Sequence, residues 1–246
     1  MPKPTTIQFD HVACGVRSLA AVAPLLEQGL GARAHRGGPG QGFRGGQWAF
    51  AGEGRLELIE PDGPDGGFLH RFLAAQGPAI HHVTFKVPDL RAARDRAAAL
   101  GYDVIGFNEE SPAWKECFLH PKQAGGIVVQ MAETDPDAGG GNWLPFASYT
   151  SGTPPARATL KGLGLVSRSA AASERCWVEL LGAAAHDSTP GERLFTWKDS
   201  PLRLRVIVDP GSPHDGPVGL DFAPYGRGFP DGLEELLGAK LLESET

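Results

Sequence analysis

The chain predicts an α+β fold: βαβββ modules, repeated in tandem, that pair into half-open, mixed-sheet barrels. Three observations predict it. A pattern of strand, helix and three further strands recurs along the 246 residues, and its first two copies both open on a strand carrying histidine. Glycine (34) and proline (21) supply 55 residues, about 22% of the chain against an average of about 12%. Turns are therefore frequent and long helices few. The apolar residues alternate over short runs, as half-buried strands require, and take helical spacing only once per module.

The elements follow in order. Phe9–Val16 alternates and reads as a strand. The Ala/Leu-rich stretch after it, ending at Gly29, reads as a helix that Pro24 should kink or start late. Short strands are expected near 32–36, at Gln47–Ala51 and at Arg55–Glu60. The second module repeats this with a strand at Ile80–Val87. Its helix runs from Asp89, which suits an N-cap, to Gly101, which suits the position after a helix end. Strands are then expected near Tyr102–Phe107, Lys115–Leu119 and Gly126–Met131. Residues 134–158 are rich in Gly, Pro, Ser and Thr and read as a linker. A third module follows, with a strand at Leu160–Val166, a helix at Glu174–Leu181 stopped by Gly182, and a strand at Leu202–Val208. Pro217–Phe222 opens a fourth, after which one helix candidate remains, Pro230–Leu242. The expected division is a two-module metal-binding domain at 1–133, the linker, and a degenerate, incomplete second domain at 159–246.

Composition narrows the function. A net charge of −6 disfavours nucleic-acid binding. No run of 18 apolar residues is present, so no membrane partner is expected, and the N-terminus lacks the apolar core of a signal peptide. Cys14, Cys117 and Cys176 are odd in number and far apart, which argues against a disulfide framework or a zinc ribbon. A cytoplasmic protein with a small-molecule substrate is expected, as monomer or homodimer.

Four polar residues match across the repeat. His11 and His82 lie 71 residues apart; His11 to Glu57 is 46 residues and His82 to Gln130 is 48. On facing concave sheets they would converge. Two imidazoles, a carboxylate and an amide oxygen suit a divalent ion (Co, Ni, Mn, Zn or Fe) with positions left open for substrate. Taken singly, a strand histidine is more often structural and Glu57 an ordinary solvated carboxylate. The matched spacing is what favours ligands. The counterparts in the later modules read as Gly164 and Gly219, which offer no ligating side chain. The catalytic candidates are Glu57, Gln130, Gln47 and Glu116; a glutamine can ligate but cannot take a proton, and of Lys115 and Glu116, one should face inward and the other solvent. Glu109 and Glu110 are candidate rim residues, and His35 could also reach inward.

The pieces Asp10-His-Val-Ala13, Leu56-Glu-Leu-Ile-Glu-Pro61, His81-His-Val-Thr-Phe85, Phe118-Leu-His-Pro-Lys122 and Gly125-Gly-Ile-Val-Val-Gln130 resemble the vicinal oxygen chelate superfamily. This group includes glyoxalases, bleomycin-resistance proteins and dioxygenases, and the methylmalonyl-CoA epimerases are the most similar branch. The resemblance covers about residues 7–133. Phe68–Leu73 is similar to the branch's short helix before the second histidine. The resemblance implies a glyoxalase-like fold, a metal held by His11, Glu57, His82 and Gln130, and an isomerase, epimerase or lyase working through an enolate on an acyl-CoA, carboxylate or hydroxy-ketone. The alternatives are a ring-cleaving dioxygenase and a metal-free binding or resistance protein. The chain departs from the epimerases where they carry a glutamate, at Gln130, and on the strand before Glu57, where Gly46 and Gln47 stand.

Overall fold

The computed structural model describes residues 4–135, 137–138, 143–152 and 156–244. The remaining parts of the expected linker, residues 136, 139–142 and 153–155, lie outside them. The chain divides into two compact units, Met1–Asp10 with His82–Gly141 and Gly162–Val218, and His11–His81 with Asn142–Lys161 and Gly219–Thr246. No described helix is long and apolar enough to cross a membrane.

The first module holds β1 (Gln8–Gly15), a helix α1 (Leu19–Pro24) that continues as a π-helical stretch over Leu25–Gly29, β2 (Arg33–Gly40), β3 (Phe43–Ala49) and β4 (Arg55–Pro61). Strand order is β2-β3-β4-β1, with β1 parallel to β4 and the other pairs antiparallel. A parallel neighbour needs a crossover, and α1 supplies it. Leu19, Val22, Ala23 and Leu26 are buried on its sheet side. Pro24 neither starts nor breaks the helix. The same switch to π register recurs in the third module, where no proline stands, so the switch belongs to the module.

β3 begins four residues earlier than expected, because Gly45-Gly46, which has no side chain to alternate, lies within the strand. A Cβ on Gly45 would stand 2.6 Å from the Trp143 ring, and one on Gly46 3.1 Å from Trp48 and 3.2 Å from Phe146. The two glycines make room for aromatic rings, one on each face. A short helix α2 (Phe68–Gln76) follows, as the resemblance implied, and buries Leu69 and Leu73 against Ile59.

The second module repeats the plan with β5 (Ala79–Lys86), α3 (Leu90–Ala99), β6 (Val104–Ser111), β7 (Trp114–Leu119) and β8 (Val128–Thr134), in the order β5-β8-β7-β6. Asp89 caps α3 as expected, accepting from Ala92 N at 2.9 Å, and Gly101 sits at φ 82° just past its end. Both modules also use a device that local sequence did not reveal. Three residues after the Glu57 position, Glu60 accepts the Leu19 N–H at 2.6 Å; three after Gln130, Glu133 accepts the Leu90 N–H at 2.9 Å. A last-strand carboxylate thus satisfies an orphan donor of the helix start. Each is held by a base on the neighbouring strand, Arg44 Nε at 2.9 Å and Lys115 Nζ at 3.2 Å.

The third module comprises β9 (Leu160–Ser167), α4 (Ala170–Ser173) running on as π helix over Glu174–Leu180, β10 (Ala184–Asp187), β11 (Glu192–Thr196) and β12 (Arg203–Val208). Neither β10 nor β11 was expected, and the four residues of β10 are all exposed and carry no apolar alternation. In place of the carboxylate device, Ser169 caps Ala172 directly at 3.1 Å. The fourth module keeps β13 (Gly216–Phe222), a single-turn α5 (Leu233–Leu237) and β14 (Leu241–Glu243), parallel to β13. The helix expected over Pro230–Leu242 is this short because Gly232 and Gly238, at φ 75° and 60°, bracket it in left-handed conformation.

Each unit shares a core between early and late chain. In the first, Phe85 stacks on Phe9 at 4.8 Å and packs on Trp197 at 4.8 Å and Trp177 at 6.2 Å. In the second, Phe50 meets Phe222 edge-on at 5.6 Å, and the Tyr225 hydroxyl donates to Ala156 O at 2.7 Å. The later modules are therefore packed on the earlier ones through buried aromatic side chains.

Candidate functional site

Within the first module, β-strand register sets one face. Glu57 pairs with Ala13 on one side and Gln47 on the other, and His11 lies two residues before Ala13 on the same face. The alternate residues of β4 turn the other way, toward α1, where Glu60 works. His11, Gln47 and Glu57 are 1%, 6% and 6% exposed. His11 Nε2 lies 2.8 Å from Glu57 Oε2, and Gln47 Nε2 donates to that same oxygen at 3.0 Å while standing 3.4 Å from His11 Nδ1. This half therefore presents an imidazole and a carboxylate, with the carboxylate held by an amide that cannot take a proton.

The second module reproduces the register. Gln130 pairs with Thr84, and His82 lies two residues before Thr84. Glu57/Ala13/His11 and Gln130/Thr84/His82 are thus structural counterparts. Both His82 and Gln130 are buried. Thr84 Oγ1 donates to Gln130 Oε1 at 2.5 Å, and Gln130 Nε2 donates to Glu116 Oε2 at 2.7 Å. The same Glu116 oxygen accepts the Trp114 indole N–H at 2.7 Å. Glu116 thus shares the Gln130 face. Lys115 takes the opposite face but does not point to solvent: it pairs with Glu133 near the start of α3. Thr84 and Trp114 were missed as partners; their signal, alternation in register with Gln130, appears once the pairing is known.

Several other side chains are held by partners of their own. Glu109 is bound by Arg91, at 3.1 and 2.6 Å. Trp48 is core, donating to Glu27 at 2.9 Å. The three cysteines are buried, and burial pushes each thiol up to about 12, so none is a thiolate ligand or nucleophile at neutral pH. His81, beside His82 in sequence, packs edge-on against Phe72 at 4.7 Å, and its burial lowers the imidazole to about 4.

The third module corrects one expectation. Its register sets Arg205 against Gly164 and Arg203 against Gly162. Gly164 is therefore the counterpart of Ala13, and Gly162 that of His11. Arg205 stands in the place of Glu57 and is paired with Glu192 at 2.7 Å. Gly219 has no room for a side chain, since a Cβ there would lie 2.6 Å from Lys240 O. A glycine and an arginine in place of histidine and glutamate leave these positions without metal donors.

Comparison with known proteins agrees with this geometry. Residues 10–118 match the family model described as the glyoxalase/bleomycin resistance protein/dioxygenase superfamily. The chain is 32% identical over 134 residues to an ethylmalonyl-CoA/methylmalonyl-CoA epimerase of Cereibacter sphaeroides, covering 51% of this chain and 97% of that protein. It is 28% identical over 136 residues to the mitochondrial methylmalonyl-CoA epimerase of Homo sapiens, covering 51% of this chain and 73% of that one. A mutant 4-hydroxymandelate synthase of Streptomyces coelicolor, 15% identical, superposes with a TM-score of 0.63 over 91% of this chain and 72% of its own, so the fold likeness extends through the later modules. The chain belongs to the glyoxalase/bleomycin resistance protein/dioxygenase superfamily.

Proposed function

We propose that the chain is a metal-dependent isomerase, epimerase or lyase that removes an α-proton from a small oxygen-chelating acyl compound, with residues 1–133 carrying the chemistry. The observation that carries the reading is the matched register: two modules each place a buried histidine and a buried oxygen donor at the same strand positions. His11, Glu57, His82 and Gln130 would hold the ion. The donor set fits a first-row divalent cation, with imidazole nitrogens and hard oxygens and no thiolate. When bound, such an ion supplies Lewis-acid stabilisation of negative charge developing on a substrate oxygen.

This chain's own residues divide the remaining work. Glu57 is the carboxylate of the set and is assigned the proton. Gln47 donates to Glu57 Oε2, which leaves Oε1 as the oxygen without that bond. Gln130 binds but carries no proton. Both curated relatives are named as epimerases of malonyl-type CoA esters, which makes an acyl-CoA the first substrate to test. The carboxylate sits here on the first module and the amide on the second.

Protein purified without chelator is expected to contain a divalent metal, or to gain thermal stability with Co, Ni, Mn, Zn or Fe(II). In D2O it is expected to exchange the α-proton of methylmalonyl-CoA or ethylmalonyl-CoA, and His11→Ala and His82→Ala should each lose metal. A wild-type chain that takes up none of the five ions, or mutants that keep full occupancy, would overturn the assignment.

A further inference from the structure

We infer that Glu116 is a positioning residue: it fixes the Gln130 amide so that Oε1 is the atom presented as a ligand. This rests on the metal reading above. A side-chain amide has two ends of similar shape, and only the oxygen end has a lone pair for a cation. What sets the orientation must be a neighbour that accepts one end and rejects the other. Glu116 does this. Ionised, it can only accept, so it holds the NH2 end, with Gln130 Nε2 at 2.7 Å from its Oε2. The Trp114 indole N–H, also 2.7 Å from that oxygen, anchors the carboxylate from its own strand. Opposite, the fully buried Thr84 hydroxyl donates to Oε1 at 2.5 Å and leaves that oxygen a second lone pair.

Strand pairing builds the arrangement. Glu116 faces Ala132 and Phe118 faces Gln130 across β7 and β8, so Glu116 reaches Gln130 diagonally on one face. In the first module the place of Glu116 is taken by Gly45, filled by the Trp143 ring, so that module holds its donor by Gln47 instead. The same contact accounts for the amide at 130. A glutamate there would set two carboxylates at hydrogen-bond distance, whereas a glutamine donates to the one already present. Glu116 and Gln130 act as a pair whose charge lies on the outer member.

The test is metal affinity, read by titration with Co(II) and its visible absorption, in a double-mutant cycle. Glu116→Leu keeps the bulk but accepts no hydrogen bond, so the NH2 end of Gln130 loses its partner. It is expected to weaken Co(II) binding by about 10–100-fold, the usual effect of losing an outer partner of a ligand. In a Gln130→Ala background the same change should alter binding by less than about 2-fold, since no amide is left to orient. Glu116→Gln should stay within about 2-fold of wild type, since the Trp114 N–H keeps an amide oxygen at the place of Oε2 and that oxygen still accepts the Gln130 NH2. An unchanged affinity in Glu116→Leu, or an equal loss in the Gln130→Ala background, overturns the inference alone; so does a loss in Glu116→Gln as large as in Glu116→Leu, which would mean that only the charge of Glu116 is felt. A wild-type chain that binds no Co(II) overturns the functional reading and this inference with it.

Discussion

Replacing Glu27 by glutamine should cost about 3 kcal/mol of stability, although the two side chains have nearly the same shape. Glu27 is 2% exposed and accepts five donors. Its Oε1 takes Trp48 Nε1 at 2.9 Å and Tyr149 N at 3.2 Å. Its Oε2 takes Thr150 N and Thr150 Oγ1, both at 2.9 Å, and the Ser148 hydroxyl. The carboxylate therefore ties the segment after the second module to α1 and to the core tryptophan. A glutamine must point its NH2 at one of these sets. On the Oε1 side it meets two N–H groups that cannot turn away. On the Oε2 side it meets one, while both hydroxyls can rotate to accept. The second orientation is cheaper, yet it still loses a charge-assisted bond to a backbone N–H, worth about 1.5–3 kcal/mol, and weakens two more by neutralising their acceptor. For a chain of this length each kcal/mol moves Tm by about 2–4 °C, so Glu27→Gln should unfold about 6–12 °C lower. Thermal and urea unfolding at pH 7.5, with an unchanged urea slope, is the assay. A Tm within about 2 °C of wild type would refute the reasoning, because the charge of Glu27 would then contribute nothing.

The same clamp predicts a pH dependence. Burial raises the Glu27 carboxyl, but hydrogen bonds from Ser148, Trp48, Tyr149 and Thr150 outweigh it and hold the group below its ordinary value of 4.5. A depressed folded-state pKa contributes stability above the ordinary range and loses it as pH falls through the folded value. The Tm gap between wild type and Glu27→Gln should therefore be full at pH 6–7.5 and narrow below about pH 4.5; a gap that widens in acid would contradict the sign. Glu60→Ala removes the acceptor of the Leu19 N–H and strands Arg44, and should cost about 1–2 kcal/mol in urea unfolding, as should Glu133→Ala in the second module. Equal stability in either variant would show that water replaces the cap without loss. Native protein should show almost no reaction of its thiols with a chromogenic disulfide at pH 8, and all three should react in denaturant; rapid labelling of the native state would place a cysteine at the surface.

The repeat was legible from residue order because each module needs an alternating first strand, one helix and glycine punctuation, and these are local. Asp89 and Gly101 marked both ends of their helix for the same reason. β10 was not legible, since an exposed polar strand has no apolar alternation. The early start of β3 at Gly45-Gly46 was not legible because its cause is not local: rings from Trp143 and Phe146, about a hundred residues away, occupy the missing Cβ positions. The third-module counterpart of His11 was off by two residues, because only pairing shows which glycine faces which arginine.

Composition and spacing by themselves determined the module, its repetition and the matched strand positions of His11, Glu57, His82 and Gln130, because strand periodicity and helix stop signals act between neighbours in sequence. Tertiary structure alone decided which face each side chain takes: that Lys115 turns to a helix start while Glu116 grips Gln130, that Gln47 grips Glu57, and that Glu27 binds a distant segment. These depend on register between strands, and a shift of one residue in pairing would exchange every face.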